Sequence, residues 1–337
     1  EYNRKAGWTV ERVKPALETL RQTYPKAGAG EMKTLLKHEH KMDVPRSIIF
    51  AYFHQYEYAL LQTRKRHCYK RHIFYAAGSF DLITVDQHDK WKYKFGLAMH
   101  TGLDPYNGFE AWIKIWHSNS NPRLICSYYL DWVEEMGCMP MVTQSDPGSE
   151  NYGLANAHTA LRHWHDPSMR GTLCHRWMRA KKNVKPEIFW SQLRRRWTPG
   201  FESILDAGVD EGLYDPSNVL ENLVFRYVFI PWLQKELDAW RTKINNTKPR
   251  RDKHKILPNG VPNDILEDPG RFGALDFRIQ VQQEAIDKVR QRYADPAHPV
   301  FDLVPPDFLP IIDAAYAAIG RPVVGRASCW EVYSHLL

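Results

Sequence analysis

Residues 79–86 have the sequence SFDLITVD, an apolar run that ends at Asp86. Its apolar and β-branched residues predict a strand, so Asp86 closes a β-type segment. A second strand-like run, MPMVTQS, ends immediately before Asp146, and Pro147 and Gly148 then force a turn. The sequence therefore places two aspartates at the ends of two predicted strands.

Glu187 lies in a helical context. It follows Pro186, which we place at the first position of a helix, so Glu187 belongs to the first turn. Apolar residues then recur at helical spacing: Ile188, Trp190, Leu193 and Trp197. Two carboxylates on strand ends and one on a helix can converge on one point. Because such carboxylates repel one another and divalent cations neutralise them, the pattern indicates a metal site.

Each acid also has an ordinary structural interpretation. An aspartate beside Pro-Gly usually forms a turn in which its side chain bonds its own backbone. A glutamate in a first helical turn usually complements the helix dipole. Taken singly, these interpretations would be preferred. The ordered set of three acids, each in a matching local context, favours the metal site.

Four segments resemble those of a known family: VDQHDK at 85–90, GLD at 102–104, SDPGSEN at 145–151 and PEIFW at 186–190. Over residues 80–200 the chain resembles the catalytic core of retroviral-type integrases and DDE transposases. It is most similar to the integrase-core proteins related to Gypsy retrotransposons and Ginger-type DNA transposons. The spacings 146 − 86 = 60 and 187 − 146 = 41 suit that family.

One departure from the family pattern is Pro186, where the relatives usually have an apolar residue before the glutamate. Proline is compatible with a helix start, so the departure weakens the match little. Asp81 competes with Asp86 for the first position, since both lie on the same apolar run. The family's hairpin length, counted back from Asp104, favours Asp86.

The resemblance implies an α/β fold with a ribonuclease H-like core, a mixed five-stranded sheet with helices. It implies that Asp86 and Asp146 hold one divalent cation and that Asp86 and Glu187 hold a second. Magnesium is the expected metal, with manganese as a substitute, because carboxylates and phosphate oxygens make a hard oxygen site. The implied reaction is cleavage and joining of DNA ends, without an organic cofactor. The relatives join strands as multimers, so we expect a homo-oligomer.

The composition suits a globular catalytic protein. The 337 residues are 43% hydrophobic and 13% aromatic, enough for two or three domains with real cores. No apolar stretch approaches the length needed to span a bilayer, so we expect no membrane association. The chain begins with Glu1 rather than Met and shows no secretion signal. We therefore expect a trimmed chain or an internal fragment, with upstream sequence missing.

Five cysteines are widely spaced, with no pair at C-x-x-C spacing: Cys68, Cys126, Cys138, Cys174 and Cys329. This odd, scattered set indicates free thiols in a reducing, intracellular compartment. Many integrases precede the core with a zinc-binding His-His-Cys-Cys domain, and the sequence lacks its cysteine pair. We therefore interpret the clustered histidines as solvated or hydrogen-bonded rather than zinc-binding. They are His38, His40, His67, His72, His158, His163 and His165.

The formal net charge is +7, and basic residues cluster on both sides of the acids. The predicted DNA-binding residues are Arg64, Lys65, Arg66, Lys70, Arg71, Arg179, Lys181, Lys182, Arg194, Arg195 and Arg196. These runs would attract a phosphate backbone, with an affinity that falls steeply with salt. Any single run is more commonly a solvated helix face, but their bracketing of the acids favours DNA. The basic loop 247–255 fits a nuclear-import signal, a phosphate-binding patch or a solvated linker. We expect nuclear localisation.

The chain divides into four predicted regions. Residues 1–75 form a helical unit, which fits equally a helix-turn-helix DNA-binding unit and a packing or dimerisation module. Residues 76–200 form the integrase-like catalytic core, and residues 201–247 form a helical extension of it. Residues 248–337 contain a basic linker and a mostly helical C-terminal region of unknown role.

Hydrophobic periodicity predicts the elements of the core and of the region after it. The predicted strands are 92–101, 109–116 and 139–144, and the predicted helices are 122–136, 151–165, 217–240, 282–293 and 307–319. The long helix is expected to be interrupted at Pro231, and residues 166–179 are expected to be a flexible connection. In the relatives that connection lies near DNA.

Two other functions stay open at this point. The chain fits a domesticated transposon-derived protein that binds DNA without catalysis, or a ribonuclease H-like nuclease without a joining step. The intact acid set counts against the first, and the helical N-terminal unit with its basic flanks counts against the second. The fold alone does not decide among them.

Overall fold

The computed structural model describes residues 7–65, 74–179, 183–251 and 256–337, without the side chains of residues 63–65. The chain splits into two compact units. The first comprises Glu1–His72 and Phe189–Ala207, and the second comprises Ile73–Ile188 and Gly208–Leu337. Among the helices of the described residues, none is both long and apolar enough to span a bilayer.

The helices are named in chain order. They are α1 (Val10–Thr23), α2 (Ala29–Glu39), α3 (Arg46–Tyr56), α4 (Tyr58–Lys65), α5 (Lys92–Phe95), α6 (Pro122–Met136), α7 (Tyr152–His165), α8 (Val184–Arg196), α9 (Thr198–Asp210), α10 (Val219–Asn245), α11 (Pro262–Glu267), α12 (Gln283–Tyr293), α13 (Leu309–Ala318) and α14 (Cys329–Leu336).

The strands are short. They are β1 (Gly78–Ser79), β2 (Leu82–His88), β3 (Ala98–Leu103), β4 (Glu110–Trp116), β5 (Cys138–Met139), β6 (Val142–Ser145), β7 (His175–Trp177), β8 (Leu275–Asp276) and β9 (Ile279–Gln280).

The first unit has a small helical core. Helices α1, α2 and α3 pack on one another, and each contributes fully buried side chains such as Leu17, Leu35 and Ile49. The Arg21 guanidinium forms an ion pair with the carboxylate of Glu57. Glu57 separates α3 from α4. The ion pair with Arg21 holds Glu57 at this break.

The second unit is built on a five-stranded mixed sheet with the order β4-β3-β2-β6-β7. Strands β2, β3 and β4 are antiparallel neighbours, whereas β6 is parallel to β2 and β7 is parallel to β6. The predicted fold class, a mixed five-stranded sheet flanked by helices, is confirmed. The pairing changes from antiparallel to parallel at β2, the strand that contains most of the apolar run 79–86.

The strand predicted at residues 92–101 is wrong in its first half. Residues Lys92–Phe95 form the short helix α5, which ends at Gly96 in the left-handed conformation (φ 68°). The rings of Trp91 and Phe95 are buried and meet edge to face at 5.8 Å. This pair at positions i and i+4 stabilises a helical turn rather than an extended segment. The strand β3 begins only at Ala98.

The connection predicted at residues 166–179 contains the fifth strand. Residues His175–Trp177 form β7, which pairs with β6 through the partners Thr143 and His175. The three-residue sequence HRW has no alternation long enough to indicate a strand. Its pairing depends on the adjacent edge of β6, which local sequence does not reveal.

The main core lies between the sheet and helices α6, α7 and α12. It contains Phe80 just before β2, Val85 from β2, Trp112 from β4, and Tyr129 and Trp132 from α6. Helix α6 has the predicted bounds, because Asn121 caps its first turn and Gly137 (φ 63°) ends it. This tight core fixes β2 and β6, the strands that lead to the two predicted aspartates.

Helix α10 covers the free edge of β4. The side chain of Asn245 accepts from the backbone N–H of Glu110 (2.8 Å) and donates to its carbonyl (2.9 Å). Gln234 likewise accepts from the N–H of Ile115 (2.9 Å) and donates to the carbonyl of Ile113 (3.0 Å). These bonds satisfy an otherwise unpaired strand edge.

The interruption predicted at Pro231 does not occur, because α10 runs continuously from Val219 to Asn245. Proline removes one helical hydrogen bond, but it does not outweigh the burial of neighbouring side chains. Trp232 and Leu233, directly after the proline, are both buried.

The C-terminal region packs on the core of the second unit. Strand β1 pairs with β8, and β5 pairs with β9. Trp330 and Tyr333 of α14 contact the ring of Phe229 in α10 at centroid distances of 4.6 Å and 6.2 Å. A Cβ atom at Gly208 would lie 1.9 Å from the Trp330 ring, so only glycine fits there.

Candidate active site

The predicted strand end at Asp86 is wrong by two residues, because β2 continues to His88 through its pairing with β3. Asp146 directly follows β6, as predicted, and β6 is parallel to β2. Thr84 of β2 pairs with Gln144 of β6. Continuing this register by two residues brings Asp86 level with Asp146, on the same face of the sheet. Adjacent strands are about 4.8 Å apart, so the two side chains start from neighbouring positions. The extended register therefore predicts that Asp86 and Asp146 lie at the same end of the β2–β6 pair.

The carboxyl group of Asp146 is incompletely satisfied. Its Oδ1 atom is buried and has no hydrogen-bond partner among the described residues. Burial raises the pKa of Asp146, because a charged carboxylate loses solvation there. A divalent cation would supply the missing partner and favour the ionised form. The site therefore fits the cation that the sequence predicts.

The loop after Asp146 is held by Asn151. The side-chain amide of Asn151 donates to the carbonyl of Asp146 (3.3 Å) and to the carboxylate of Glu150 (3.0 Å). A Cβ atom at Gly148 would lie 1.9 Å from the Glu150 carboxylate. Glycine at that position therefore leaves room for the side chain of Glu150 to fold back over the loop.

His175 lies on β7 and bonds side chains of the neighbouring strand β6, and sequence reasoning did not select it. Burial lowers the pKa of His175 to about 4, so the ring is neutral at pH 7. Its Nδ1 bonds Thr143 (2.9 Å) and its Nε2 bonds Ser145 (3.1 Å). The Ser145 hydroxyl donates to the carbonyl of Asp146 (2.8 Å), so Nε2 donates to Ser145 and Nδ1 accepts from Thr143.

Asn183 is a second residue that sequence reasoning missed. It is fully buried, and its amide donates to the carbonyl of Val85, the residue before Asp86 (2.8 Å). Its side-chain oxygen accepts from Gln144, two residues before Asp146 (3.2 Å). Asn183 directly precedes α8, so its two hydrogen bonds join the start of this helix to β2 and β6.

Glu187 lies in the first turn of α8, as predicted, and is exposed. The helix begins at Val184, so Pro186 is its third residue and not its first. Proline is tolerated there because the N–H groups of the first turn have no helical partner. Across the described residues, no group of three His, Cys, Asp or Glu side chains is gathered closely enough to hold a metal. That holds for Asp86, Asp146 and Glu187 as well.

Asp81 and Asp104 have structural roles. Asp81 lies before the first residue of β2 and accepts from the N–H of Ala77 (2.9 Å). Asp104 accepts from the backbone N–H groups of Phe80 (2.9 Å) and Tyr106 (2.8 Å). Burial raises the pKa of Asp104 to about 7. Both carboxylates hold turns, and neither lies in β2, whereas Asp86 does.

The predicted DNA-binding residues are only partly described. Arg66, Lys70, Arg71, Lys181 and Lys182 lie outside the described residues, as do the side chains of Arg64 and Lys65. Arg194, Arg195 and Arg196 form the last turn of α8, in the first unit, where Arg196 lies 3.5 Å from Glu31. Arg179 is exposed and lines a cleft beside Pro147 and Gly148.

Comparison with known protein families matches residues 73–265 to the integrase core domain. The match covers more than half of the 337 residues and contains all three predicted acids. No curated protein matches the chain. The matched region also contains the complete five-stranded sheet. The chain therefore belongs to the integrase core family, which also includes the DDE transposases.

Proposed function

We propose that this protein is a metal-dependent DNA polynucleotidyl transferase that cleaves DNA ends and joins strands. Membership of the integrase core family supports a nucleic-acid-processing role. The observation that carries the proposed mechanism is the buried Oδ1 of Asp146, which has no hydrogen-bond partner among the described residues. The parallel register of β2 and β6, which leads towards Asp86 and Asp146, supports it. Turn-forming aspartates would find backbone partners, as Asp81 and Asp104 do.

Asp86 and Asp146 would hold one divalent cation, and Asp86 and Glu187 a second. When bound, the cations supply activation of water or a DNA 3′ hydroxyl and neutralisation of charge at the reacting phosphate. Magnesium, with manganese as a substitute, suits carboxylate and phosphate oxygens. The three carboxylates would hold the cations, and no covalent bond to the protein is required.

Asn183 is a positioning residue in this scheme. Its two hydrogen bonds fix the start of α8 against β2 and β6, and Glu187 follows four residues later. His175 and Ser145 hold the Asp146 end of β6 in the same way. The buried network would thus hold the strands that lead to Asp86 and Asp146. The exposed Glu187 would join them as a ligand when metal and DNA are present.

The natural substrate in this proposal is DNA, handled by a homo-oligomer in the nucleus. The net charge of +7 supports a polyanionic partner. The oligomeric state and the nuclear location are tested by light scattering with and without DNA and by imaging of the tagged full-length chain.

The deciding experiment is cleavage and joining of labelled duplex DNA ends in magnesium and in manganese. We expect activity that is lost in Asp86→Asn, Asp146→Asn and Glu187→Gln. Glu135→Gln, at an exposed position of α6, is the matched control and should stay active. An active Glu187→Gln protein would remove Glu187 from the site. Salt-sensitive DNA binding without cleavage, across varied ends, would support a DNA-binding protein without catalysis.

A further inference from the structure

Two clefts lie along one exposed face of α7. The first has a volume of about 410 Å³ and lies beside Asp146, lined by Pro147, Gly148, Ser149, Tyr152, Trp177 and Arg179. The second has a volume of about 390 Å³ and is lined by the α7 residues Asn156, Thr159, Ala160, His163 and Trp164, and by Arg170, Arg292 and Tyr293. No acidic side chain belongs to either lining.

The spacing of the α7 residues joins the clefts into one surface. Tyr152, Asn156, Thr159 and His163 recur at three- and four-residue intervals, which places them on one side of the helix. The opposite side, including Leu154, His158 and Leu161, is buried. From Tyr152 to His163 the helix rises about 16 Å. We name this surface, from Tyr152 to His163 with both clefts, the α7 track.

The charged side chains that line the two clefts are those of arginines. Within the described residues, no carboxylate forms an ion pair with Arg170, Arg179 or Arg292. The imidazole Nε2 of His163 donates to the carbonyl of Thr172 (2.9 Å), which holds the segment carrying Arg170 against α7. An anion is therefore the complementary ligand for both ends of the track.

Aromatic side chains interleave with this charge. Tyr152 is 55% exposed and Trp164 is 41% exposed. In the first cleft the rings of Tyr152 and Trp177 meet edge to face at 5.5 Å, so the edge of one ring packs on a face of the other. Exposed rings beside cationic groups are typical of surfaces that bind unpaired bases by stacking and the phosphates by charge. A duplex, with its bases stacked internally, would not use the rings.

We propose that the α7 track binds a single DNA strand as it leaves the Asp86–Asp146 centre. This inference rests on the proposed function for the identity of the strand, and it adds a binding surface outside the three carboxylates. The first cleft receives the nucleotide next to the scissile phosphate. The second cleft, formed in part by α12 beyond the integrase core match, holds the strand farther along. The track therefore favours frayed or unpaired DNA ends over blunt duplex.

The test is binding of labelled oligothymidylate to the full-length protein, measured by fluorescence anisotropy over a range of salt. We expect Tyr152→Ala to weaken binding about tenfold through lost stacking. The double variant Arg170→Ala with Arg292→Ala should weaken binding by a similar factor. It should also lower the salt slope by about 1.4, for two lost phosphate contacts. Arg271→Ala removes one exposed charge outside the track and should leave affinity unchanged.

Ultraviolet cross-linking of unaltered protein to oligonucleotides that carry 5-iodouracil gives a second readout, independent of variant folding. Cross-links should fall in the peptides that contain Tyr152, Trp164 or Trp177. Cross-links confined to other peptides, or full affinity in the track variants, would overturn the inference. Tighter binding of blunt duplex than of oligothymidylate, with the same loss in the variants, would overturn its single-strand form.

The same variants separate this inference from the proposed function. Asp146→Asn should abolish cleavage, whereas the loss of oligothymidylate binding should follow the track variants. If unaltered protein does not cleave DNA but the track variants still lose binding, the proposed function fails and the track stands. If cleavage depends on the three acids while the track variants bind normally, the proposed function stands and the track fails.

Discussion

The side chain of Asn183 lies 2.8 Å from the carbonyl oxygen of Val85, across 98 residues of sequence, and donates a hydrogen bond to it. Through this bond and the one from Gln144, a single amide links β2, β6 and the start of α8. Both aspartates and the glutamate of the proposed site lie within four residues of a group that takes part in this network.

The first prediction concerns Asn183→Ala. The change leaves the Val85 carbonyl and the Gln144 amide buried without partners, which costs about 1–3 kcal/mol for each group. We expect urea unfolding to show a loss of about 3 kcal/mol in the free energy of unfolding. The rate of DNA cleavage should also be lower than that of the unaltered protein at a temperature where the variant is folded, because the start of α8 is released.

Asn259→Ala is the matched control, since the amide of Asn259 is exposed and makes one bond to the carbonyl of Pro249. It should change stability by less than about 0.5 kcal/mol. An Asn183→Ala protein with unaltered stability would show that the bridge is not formed in solution.

Asp146→Asn should stabilise the metal-free protein near neutral pH. Because burial raises the pKa of Asp146, the folded state binds its proton more tightly than the unfolded state does. The stabilising contribution is complete below the unfolded pKa of about 3.9 and is lost as pH rises through the folded pKa. Asparagine does not ionise, so the variant does not lose this stability as pH rises. The stability difference between the proteins, followed by thermal melts, should therefore vanish towards acidic pH.

Added magnesium should reverse this order. Metal that binds only the folded state stabilises by about 2.7 kcal/mol at a concentration of one hundred times Kd. We expect that gain in the unaltered protein and not in Asp146→Asn, measured as the change in melting temperature with magnesium. Equal gains in both proteins would place the metal elsewhere.

The protein should lose stability on mild acidification. Burial lowers the pKa of His175 to about 4, and of His100 and His158 to about 3. Their neutral forms contribute stability above the unfolded pKa of about 6.5, and this contribution is lost as pH falls towards the folded values. Between those pH values, each histidine contributes up to about 1.4 kcal/mol per pH unit to the slope of the free energy of unfolding against pH.

Urea unfolding at a series of pH values from 7 to 4 measures this slope. His175→Gln, which retains a hydrogen-bonding side chain but does not titrate, should reduce the slope by about one histidine's share. An unchanged slope would show that His175 is protonated in the folded protein.

Two glycines provide a contrast in packing. In Gly102→Ala the new Cβ would lie 2.3 Å from the buried Trp112 ring, which cannot move without disturbing the core. We expect a loss of about 2–3 kcal/mol in the free energy of unfolding. In Gly148→Ala the new Cβ meets only the end of the flexible Glu150 side chain. Denaturant unfolding should show a loss below about 1 kcal/mol there. A similar loss in the free energy of unfolding for both variants would show that the Trp112 ring can move to make room for the new Cβ.

The sequence by itself predicted the elements whose signals are local. Helix α6 has its predicted bounds because a cap residue, a helical apolar pattern and a left-handed glycine are all close in sequence. The apolar run into Asp86 and the Pro-Gly turn after Asp146 indicated strand ends, and the helical pattern after Glu187 indicated a first turn. The fold class and the family follow from these segments and their order.

Only the tertiary structure revealed the parts that depend on distant partners. Strand β7 exists because β6 offers it an edge, and α5 replaces half of a predicted strand because Trp91 and Phe95 are buried together. His175 and Asn183 have no sequence signal, since their roles come from hydrogen bonds that join residues 30 to 98 positions apart. Local propensity determines where a helix or strand can form. Non-local burial and hydrogen bonding decide which ones do, and which polar side chains hold the site.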